Sequence, residues 1–194
     1  MSREASLIAR TNNGLYLVQA RDVIKPQFEP GKYPFIFPGA CSLFGGLMEG
    51  DETPRQGFER EISEELEGIA VPNELEHRVY DFSRQLDEVC GRINEAYHGN
   101  LPAFLGFGLS DLVPQEALGK ANRGKRITYR DWLHGVEEYN LYVCNLSQDD
   151  LRNVRLREGS KILWLPEEAA RALVMVPQDK LALLDGFAMR KYQS

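Results

Sequence analysis

Three glutamates at helical spacing are the residues of this sequence best suited to chemistry. Glu61, Glu64 and Glu65 stand at positions i, i+3 and i+4, so a helix projects all three from one face about 100° wide. Like charges this close destabilise a helix by roughly 0.2–0.5 kcal/mol per pair. A hard divalent cation such as Mg²⁺ removes that conflict, because it prefers carboxylate oxygens as ligands. Taken alone, however, the three residues are more commonly a solvated helix face.

The spacing of the surrounding residues favours the metal-binding interpretation. Reading forward from Gly46, the sequence follows the form Gly-x5-Glu-x7-Arg-Glu-Ile-Ser-Glu-Glu, ending at Glu65. Six fixed positions, each with a usage of about 7%, would match by chance on the order of once in 10⁷ windows. The pattern therefore indicates more than a Glu-rich surface.

This segment closely resembles the Nudix box, whose form is G-x5-E-x7-R-E-U-x-E-E-x-G-U with U aliphatic. The resemblance is strong over about thirty residues and implies a divalent metal site that uses Mg²⁺ or Mn²⁺. The metal ligands that it implies are the Gly46 carbonyl, Glu61, Glu64 and Glu65. It further implies that Arg60 orients a neighbouring carboxylate and that Glu52 supports the junction between loop and helix.

The chain departs from the box at one place. Glu67 stands where the pattern has glycine, and Gly68-Ile69 follow one position late. We interpret this as an extension of the helix end by one residue, which leaves the three glutamates untouched.

Two further residues are candidates for the same site. In some members of the family a later loop supplies another acidic ligand, and Glu158, six residues before Trp164, resembles such a residue. The alternative for Glu158 is an ordinary turn carboxylate. Arg21, at the end of the second predicted strand, is the candidate for contact with substrate phosphates, and a plain surface charge is its alternative.

The elements around the box predict an α/β fold, a sandwich of helices and a mixed sheet, and the resemblance implies that it is the Nudix-type α/β/α sandwich. A hairpin is expected at the start and a helix of about four turns from Thr53 to Gly68, with Thr53 and Gln56 forming a capping box. Short strands are expected at 35–37 and 42–44, weaker strands at 69–71 and 78–80, and regular strands at 140–146 and 161–165. Two helices, at 166–173 and 177–191, close the chain.

We predict a single Nudix domain over residues 1–194 with a helical or irregular insertion at about 81–133. The insertion is expected to set substrate specificity or to build a homodimer interface, and both alternatives stay open.

The composition limits the class of partner. A net charge of −6 argues against strong nucleic-acid binding. There is neither a signal-peptide layout nor an apolar run long enough to span a membrane, so no membrane partner is expected. Three widely separated cysteines argue against a disulfide framework and favour a cytoplasmic protein.

The predicted function is metal-dependent hydrolysis of the pyrophosphate linkage of a nucleoside diphosphate linked to another moiety. The expected partner is thus a nucleotide-type small molecule. Glu64, Glu65 and Glu158 all remain candidates for the general base. One alternative is a Nudix-fold module that senses or binds a nucleotide without turnover. Another is an isomerase acting on an isoprenyl diphosphate, for which Cys41 is the only suggestive residue.

Overall fold

A computed structural model describes residues 2–20, 40–82, 84–97, 106–108, 126–157 and 161–190. The strands in chain order are β1 (Ser2–Thr11), β2 (Leu15–Ala20), β3 (Cys41–Ser42), β4 (Phe44–Leu47), β5 (Leu66–Glu67), β6 (Glu76–Tyr80), β7 (Gly106–Gly108), β8 (Arg126–Thr128), β9 (Val136–Leu146), β10 (Arg155–Leu156) and β11 (Lys161–Pro166). The helices are α1 (Pro54–Glu65), α2 (Leu86–Ala96), α3 (Tyr129–Gly135), α4 (Gln148–Asn153), α5 (Glu167–Ala172) and α6 (Pro177–Arg190).

The central sheet is mixed and has the order β11-β2-β1-β9-β6. Strand β1 pairs with β9 in parallel along its whole length, and the other pairings of the sheet are antiparallel. On its other edge β1 pairs with β2 near Ala9 and with β4 between Glu4 and Leu7. This change of partner gives β4, which carries Gly45 and Gly46, its place in the sheet. The hairpin of β1 and β2 is confirmed.

Helices cover both faces of this sheet, which confirms the α/β/α sandwich. Successive side chains of a strand point to opposite faces, so Leu7 of β1 packs in the same cluster as Phe58 and Ile62 of α1. Its neighbour Ile8 packs in a second cluster with Phe187 of α6. The sheet thus separates a core under α1 from a core under α2 and α6.

The described part of the predicted insertion contains two helices that join the second core, and two short strands. Val89 and Ile93 of α2 and Leu133 of α3 are buried in the same cluster as Leu181 and Phe187 of α6. The short strands β7 and β8 pair with each other. Residues 98–105 and 109–125 lie outside the described part, so the role of the insertion in specificity or dimerisation stays a prediction.

Two sequence expectations are wrong. Helix α1 ends at Glu65 and not near Gly68, because Leu66 is already extended (φ −127°, ψ 144°) and pairs in β5 with β10. The departure from the box is therefore not an extension of the helix. Residues 69–71 also form no strand. The strand expected at 35–37 lies outside the described residues, and the two closing helices are confirmed as α5 and α6.

No helix within the described ranges has the length and apolar character required to span a membrane.

Lys180 of α6 is a buried cation that gives the fold a pH dependence. Its side chain is 1% exposed, and Nζ donates to the carbonyl oxygens of Arg171 and Leu173. Desolvation, followed by the charge of Arg171, lowers its pKa from 10.5 to about 8. Between these two values the unfolded chain binds more protons than the folded one, so this lysine makes stability rise with pH.

We expect wild type to gain about 2 kcal/mol of unfolding free energy relative to Lys180→Met between pH 7.5 and pH 10. Urea denaturation under reducing conditions measures this difference, with both proteins carrying Cys41→Ala because the Cys41 thiol interacts electrostatically with Lys180. Taking the difference then cancels the groups that titrate independently of Lys180. A difference between the two proteins that does not change with pH would show that Lys180 is not desolvated in this way.

Candidate functional site

The sequence around α1 builds the helix that positions the glutamates. Thr53 is the N-cap: its hydroxyl accepts the Gln56 N–H, and the Gln56 side chain accepts the Thr53 N–H at 2.9 Å. Pro54 starts the first turn. Phe58 and Ile62 are buried against the sheet. The expected capping box and apolar stripe are therefore present, and they turn the glutamate face of the helix toward β4.

Arg60 connects the acidic residues of the site. Its Nε donates to Glu52 at 2.9 Å, and Nη1 donates to Glu61 at 2.7 Å and to Glu64 at 3.3 Å. Its Nη2 donates to the Leu47 carbonyl at 2.7 Å and to Glu52 at 3.1 Å. A planar guanidinium has five N–H donors and can therefore bind this set of acceptors at the same time. The structure thus brings together Arg60, Glu52, Glu61 and Glu64.

Glu52 ties the loop before α1 to the helix. Its Oε2 accepts the backbone N–H of Glu49 at 2.8 Å, while both carboxylate oxygens accept from Arg60. The hydrogen bonds from Arg60, and then from the Glu49 backbone, lower the pKa of Glu52 to about 2. Glu52 is therefore ionised at neutral pH and serves as a fixed acceptor.

Glu61 occupies a more enclosed position, directly against Gly46. Burial raises the pKa of Glu61; the contact with Arg60 opposes this effect, and the charges of Glu64 and Glu49 add to it. A Cβ at position 46 would lie only 2.4 Å from Oε2 of Glu61. Glycine at position 46 is thus what allows this carboxylate to lie against the backbone of β4.

Glu65 reaches the same strand from the last turn of α1. Its Oε2 accepts the backbone N–H of Gly45 at 2.7 Å. Gly45 has a φ of +131°, and a Cβ there would lie 2.1 Å from the Ala5 carbonyl oxygen. The glycine pair therefore serves two purposes: Gly45 permits the backbone path, and Gly46 leaves room for Glu61.

The donor set has the chemistry that a hard divalent cation requires. Glu61 presents carboxylate oxygens beside the Gly46 backbone. Arg60 is ion-paired with Glu61, Glu64 and Glu52, so one positive charge faces three carboxylates and surplus negative charge remains. Among the described residues, no three acidic, histidine or cysteine side chains stand close enough together to hold a metal ion as they are. The reason is visible in the contacts: Arg60 holds Glu61 and Glu64, and the Gly45 N–H holds Glu65.

The other two candidates, Glu158 and Arg21, lie outside the described residues. His77, to which the sequence assigns no ligand role, stacks on Tyr142 with ring centroids 4.4 Å apart and contacts the Asn140 side chain at 2.9 Å. It supports the packing of β6 on β9.

Sequence reasoning missed a buried polar network on the face of the sheet opposite α1. Tyr139 donates to Oδ1 of Asp179 at 2.7 Å, and the Leu43 N–H donates to Oδ2 at 3.0 Å. Nearby, Gln178 donates to Oε2 of Glu4 at 3.1 Å. In the sequence, Gln178 and Asp179 follow Pro177 at the start of a helix, where polar residues are ordinary, so no local signal marked them.

No family model and no curated protein sequence matches the chain, but solved structures do. A mutT/nudix family protein from Listeria innocua is 15% identical; the match covers 99% of this chain and 95% of that one, with a TM-score of 0.54. The NUDIX domain of Shewanella oneidensis NrtR, in a complex with ADP ribose, is 12% identical, with 98% and 87% covered and a TM-score of 0.51. The chain has the Nudix fold.

Proposed function

We propose that this protein is a divalent-metal-dependent pyrophosphohydrolase acting on a nucleoside diphosphate linked to another moiety. The observation that carries the proposal is the arrangement on α1. Glu61, Glu64 and Glu65 share one helix face, and two of them lie against Gly45 and Gly46 of β4. These are the positions at which the Nudix box has its acidic residues, and the chain has the Nudix fold.

In this proposal Mg²⁺ or Mn²⁺ is held by Glu61, Glu64 and Glu65 with the Gly46 carbonyl, and Glu158 is a further candidate ligand. The bound ion supplies Lewis-acid chemistry, since it neutralises the charge of the diphosphate oxygens and makes water more acidic. Arg60, fixed by Glu52, orients Glu61 and Glu64 from within the site. Arg21 contacts a substrate phosphate.

The reaction is a substitution at phosphorus. A water oxygen forms a bond to one phosphorus of the linkage, and the bond from that phosphorus to the bridging oxygen breaks. The bridging oxygen leaves with the second phosphoryl group, and a glutamate accepts the proton that the water loses. Glu64, Glu65 and Glu158 are the candidates for this base. The products are a nucleoside monophosphate and a phosphorylated second product.

A non-catalytic nucleotide-binding module is the second candidate. It is supported by the contacts of Arg60, which engage Glu61 and Glu64 as internal ion pairs. The ADP ribose complex of the NrtR NUDIX domain supports nucleotide binding on this fold. The two functions differ in turnover and not in ligand class.

The test is to incubate the protein with Mg²⁺ and a panel of nucleoside diphosphate sugars, dinucleoside polyphosphates and nucleoside triphosphates. For the sugars and dinucleotides, whose phosphates are blocked at both ends, coupling to alkaline phosphatase reports phosphate from any product monoester. For the triphosphates, which alkaline phosphatase attacks directly, inorganic pyrophosphatase reports any released pyrophosphate instead. The proposal expects turnover of at least one compound, and this turnover should disappear when a chelator is present during the incubation with the protein and excess metal is restored before the coupling enzyme is added. Binding of a nucleotide without any turnover across the panel would contradict the enzymatic function and favour the nucleotide-sensing module.

We further propose that residues 1–194 form a single domain and that the protein is cytoplasmic. Support for the location comes from Cys41, Cys90 and Cys144, which are buried and free.

A further inference from the structure

The C-terminal turn of α1, which carries Glu64 and Glu65, needs hydrogen-bond partners from elsewhere. The last four carbonyl groups of a helix accept no hydrogen bond from an N–H group of the same helix. The last turn of α1 also has no basic residue that could donate to them. The N–H of the C-cap Leu66 donates to the Ile62 carbonyl, but the chain then turns away in an extended conformation, so the donors for the Ser63 and Glu65 carbonyls come from another segment.

Arg157 supplies two of these donors. Its backbone N–H donates to the Glu65 carbonyl at 2.8 Å, and its Nη1 donates to the Ser63 carbonyl at 2.9 Å. The guanidinium also lies near Glu67, with Nε 3.9 Å from Oε2. A cation at a helix C-terminus is favourable because it faces the negative end of the helix dipole. Arg157 therefore contacts the carbonyls on both sides of Glu64.

Strand pairing brings Arg157 to this place. Leu66 pairs with Leu156 and Glu67 with Arg155 in the small β5–β10 sheet. Gly68 then turns with a φ of +82°, and a Cβ there would lie 2.2 Å from the Asn153 carbonyl oxygen. The late glycine of the box is thus explained, because the pairing of Leu66 and Glu67 comes before the turn.

We propose that Arg157 is a positioning residue, whose contacts with Ser63 and Glu65 hold the last turn of α1 so that Glu64 and Glu65 face the metal. The bond to the Ser63 carbonyl fixes the peptide group before Glu64, and the bond to the Glu65 carbonyl fixes the one after Glu65, so the two contacts bracket both glutamates and set the direction in which their side chains leave the helix. The proposal rests on the metal-dependent function proposed above. It requires no contact between Arg157 and the substrate.

The experiment compares Arg157→Ala with Arg155→Ala, a matched loss of one arginine from the same segment. Arg155 donates to the carbonyls of Arg152 and Val154, which belong to α4 and its end and not to α1. Mn²⁺ binding, measured without substrate from the paramagnetic resonance of the free ion, should weaken about three- to tenfold in Arg157→Ala only. The kcat should fall about tenfold at a KM within about twofold of wild type.

Arg157→Lys keeps a cation and a donor at the end of α1, and it should recover part of the Mn²⁺ affinity and of kcat. Equal Mn²⁺ affinity in Arg157→Ala and Arg155→Ala would overturn the proposal, whether both variants bind as wild type does or both bind more weakly by the same factor. The metal measurement needs no substrate. Absence of turnover across the panel would therefore defeat the enzyme function, while the two arginine variants would still decide the role of Arg157.

Discussion

Replacing Glu64 with glutamine should lower kcat by about 10²- to 10⁴-fold, the range expected when a group that acts on the reacting water or on its metal is neutralised. Glutamine keeps the shape of the side chain and removes its charge. The Glu64 side chain is 51% exposed and its ion pair with Arg60 is long, at 3.3 Å, so the fold should stay intact. Steady-state kinetics on the best substrate of the panel, with circular dichroism of the variant, measure both effects.

Glu59→Gln is the matched control for this variant. Glu59 lies on the same helix, its side chain has the same exposed fraction of 51%, and it is paired with Arg55 and not with Arg60. The same chemical change should leave kcat within about twofold of wild type, as surface substitutions usually do. Equal kcat in Glu64→Gln and wild type would show that Glu64 is not part of the catalytic site.

The second large effect is expected from Gly46→Ala. The new Cβ would lie 2.4 Å from Oε2 and 2.7 Å from Cδ of Glu61, so the carboxylate must leave its place. Its contact with Arg60 at 2.7 Å would be lost with it. Since displacement of a catalytic group by about 1 Å can cost about 10²-fold in rate, we expect kcat to fall by about 10- to 100-fold.

Gly91→Ala controls for the addition of a methyl group. Gly91 lies inside α2, and a Cβ there meets no heavy atom within 4 Å. Alanine in a helix interior should raise stability by about 0.5–1 kcal/mol and leave turnover unchanged. Wild-type kcat in Gly46→Ala would contradict the packing of Glu61 against β4, and thermal denaturation of both variants separates this effect from a loss of fold.

The start of α1 was predictable because its local signals agree. Thr53, Pro54 and Gln56 specify the N-terminus by hydrogen bonds within one turn, and Phe58 and Ile62 specify the buried face by their spacing. The side on which Glu61 and Glu64 emerge follows from the same helical period. Local sequence was sufficient for these features.

The end of α1 was not predictable, because a distant segment decides it. Nothing near Leu66 indicates that this residue pairs with Leu156, and Gly68 alone was consistent with a longer helix. The contacts of Arg157 were not predictable for the same reason, because the carbonyl groups that accept its hydrogen bonds lie on α1. Asp179 and Tyr139 meet only because α6 packs across β9, so their hydrogen bond also depends on the tertiary fold. Contacts between distant segments leave no periodic mark in a single sequence.

The glutamate face of α1 is expected to bind a divalent cation, and Mn²⁺ titration of wild type and Glu64→Gln tests this binding most directly. Free Mn²⁺ is followed by paramagnetic resonance, without any substrate, and Glu59→Gln serves as the reference. Wild type and Glu59→Gln should bind Mn²⁺ with equal affinity, and Glu64→Gln should bind at least about tenfold more weakly, because it lacks one charged oxygen ligand. Equal affinity in all three proteins, or no binding in wild type, would contradict this expectation.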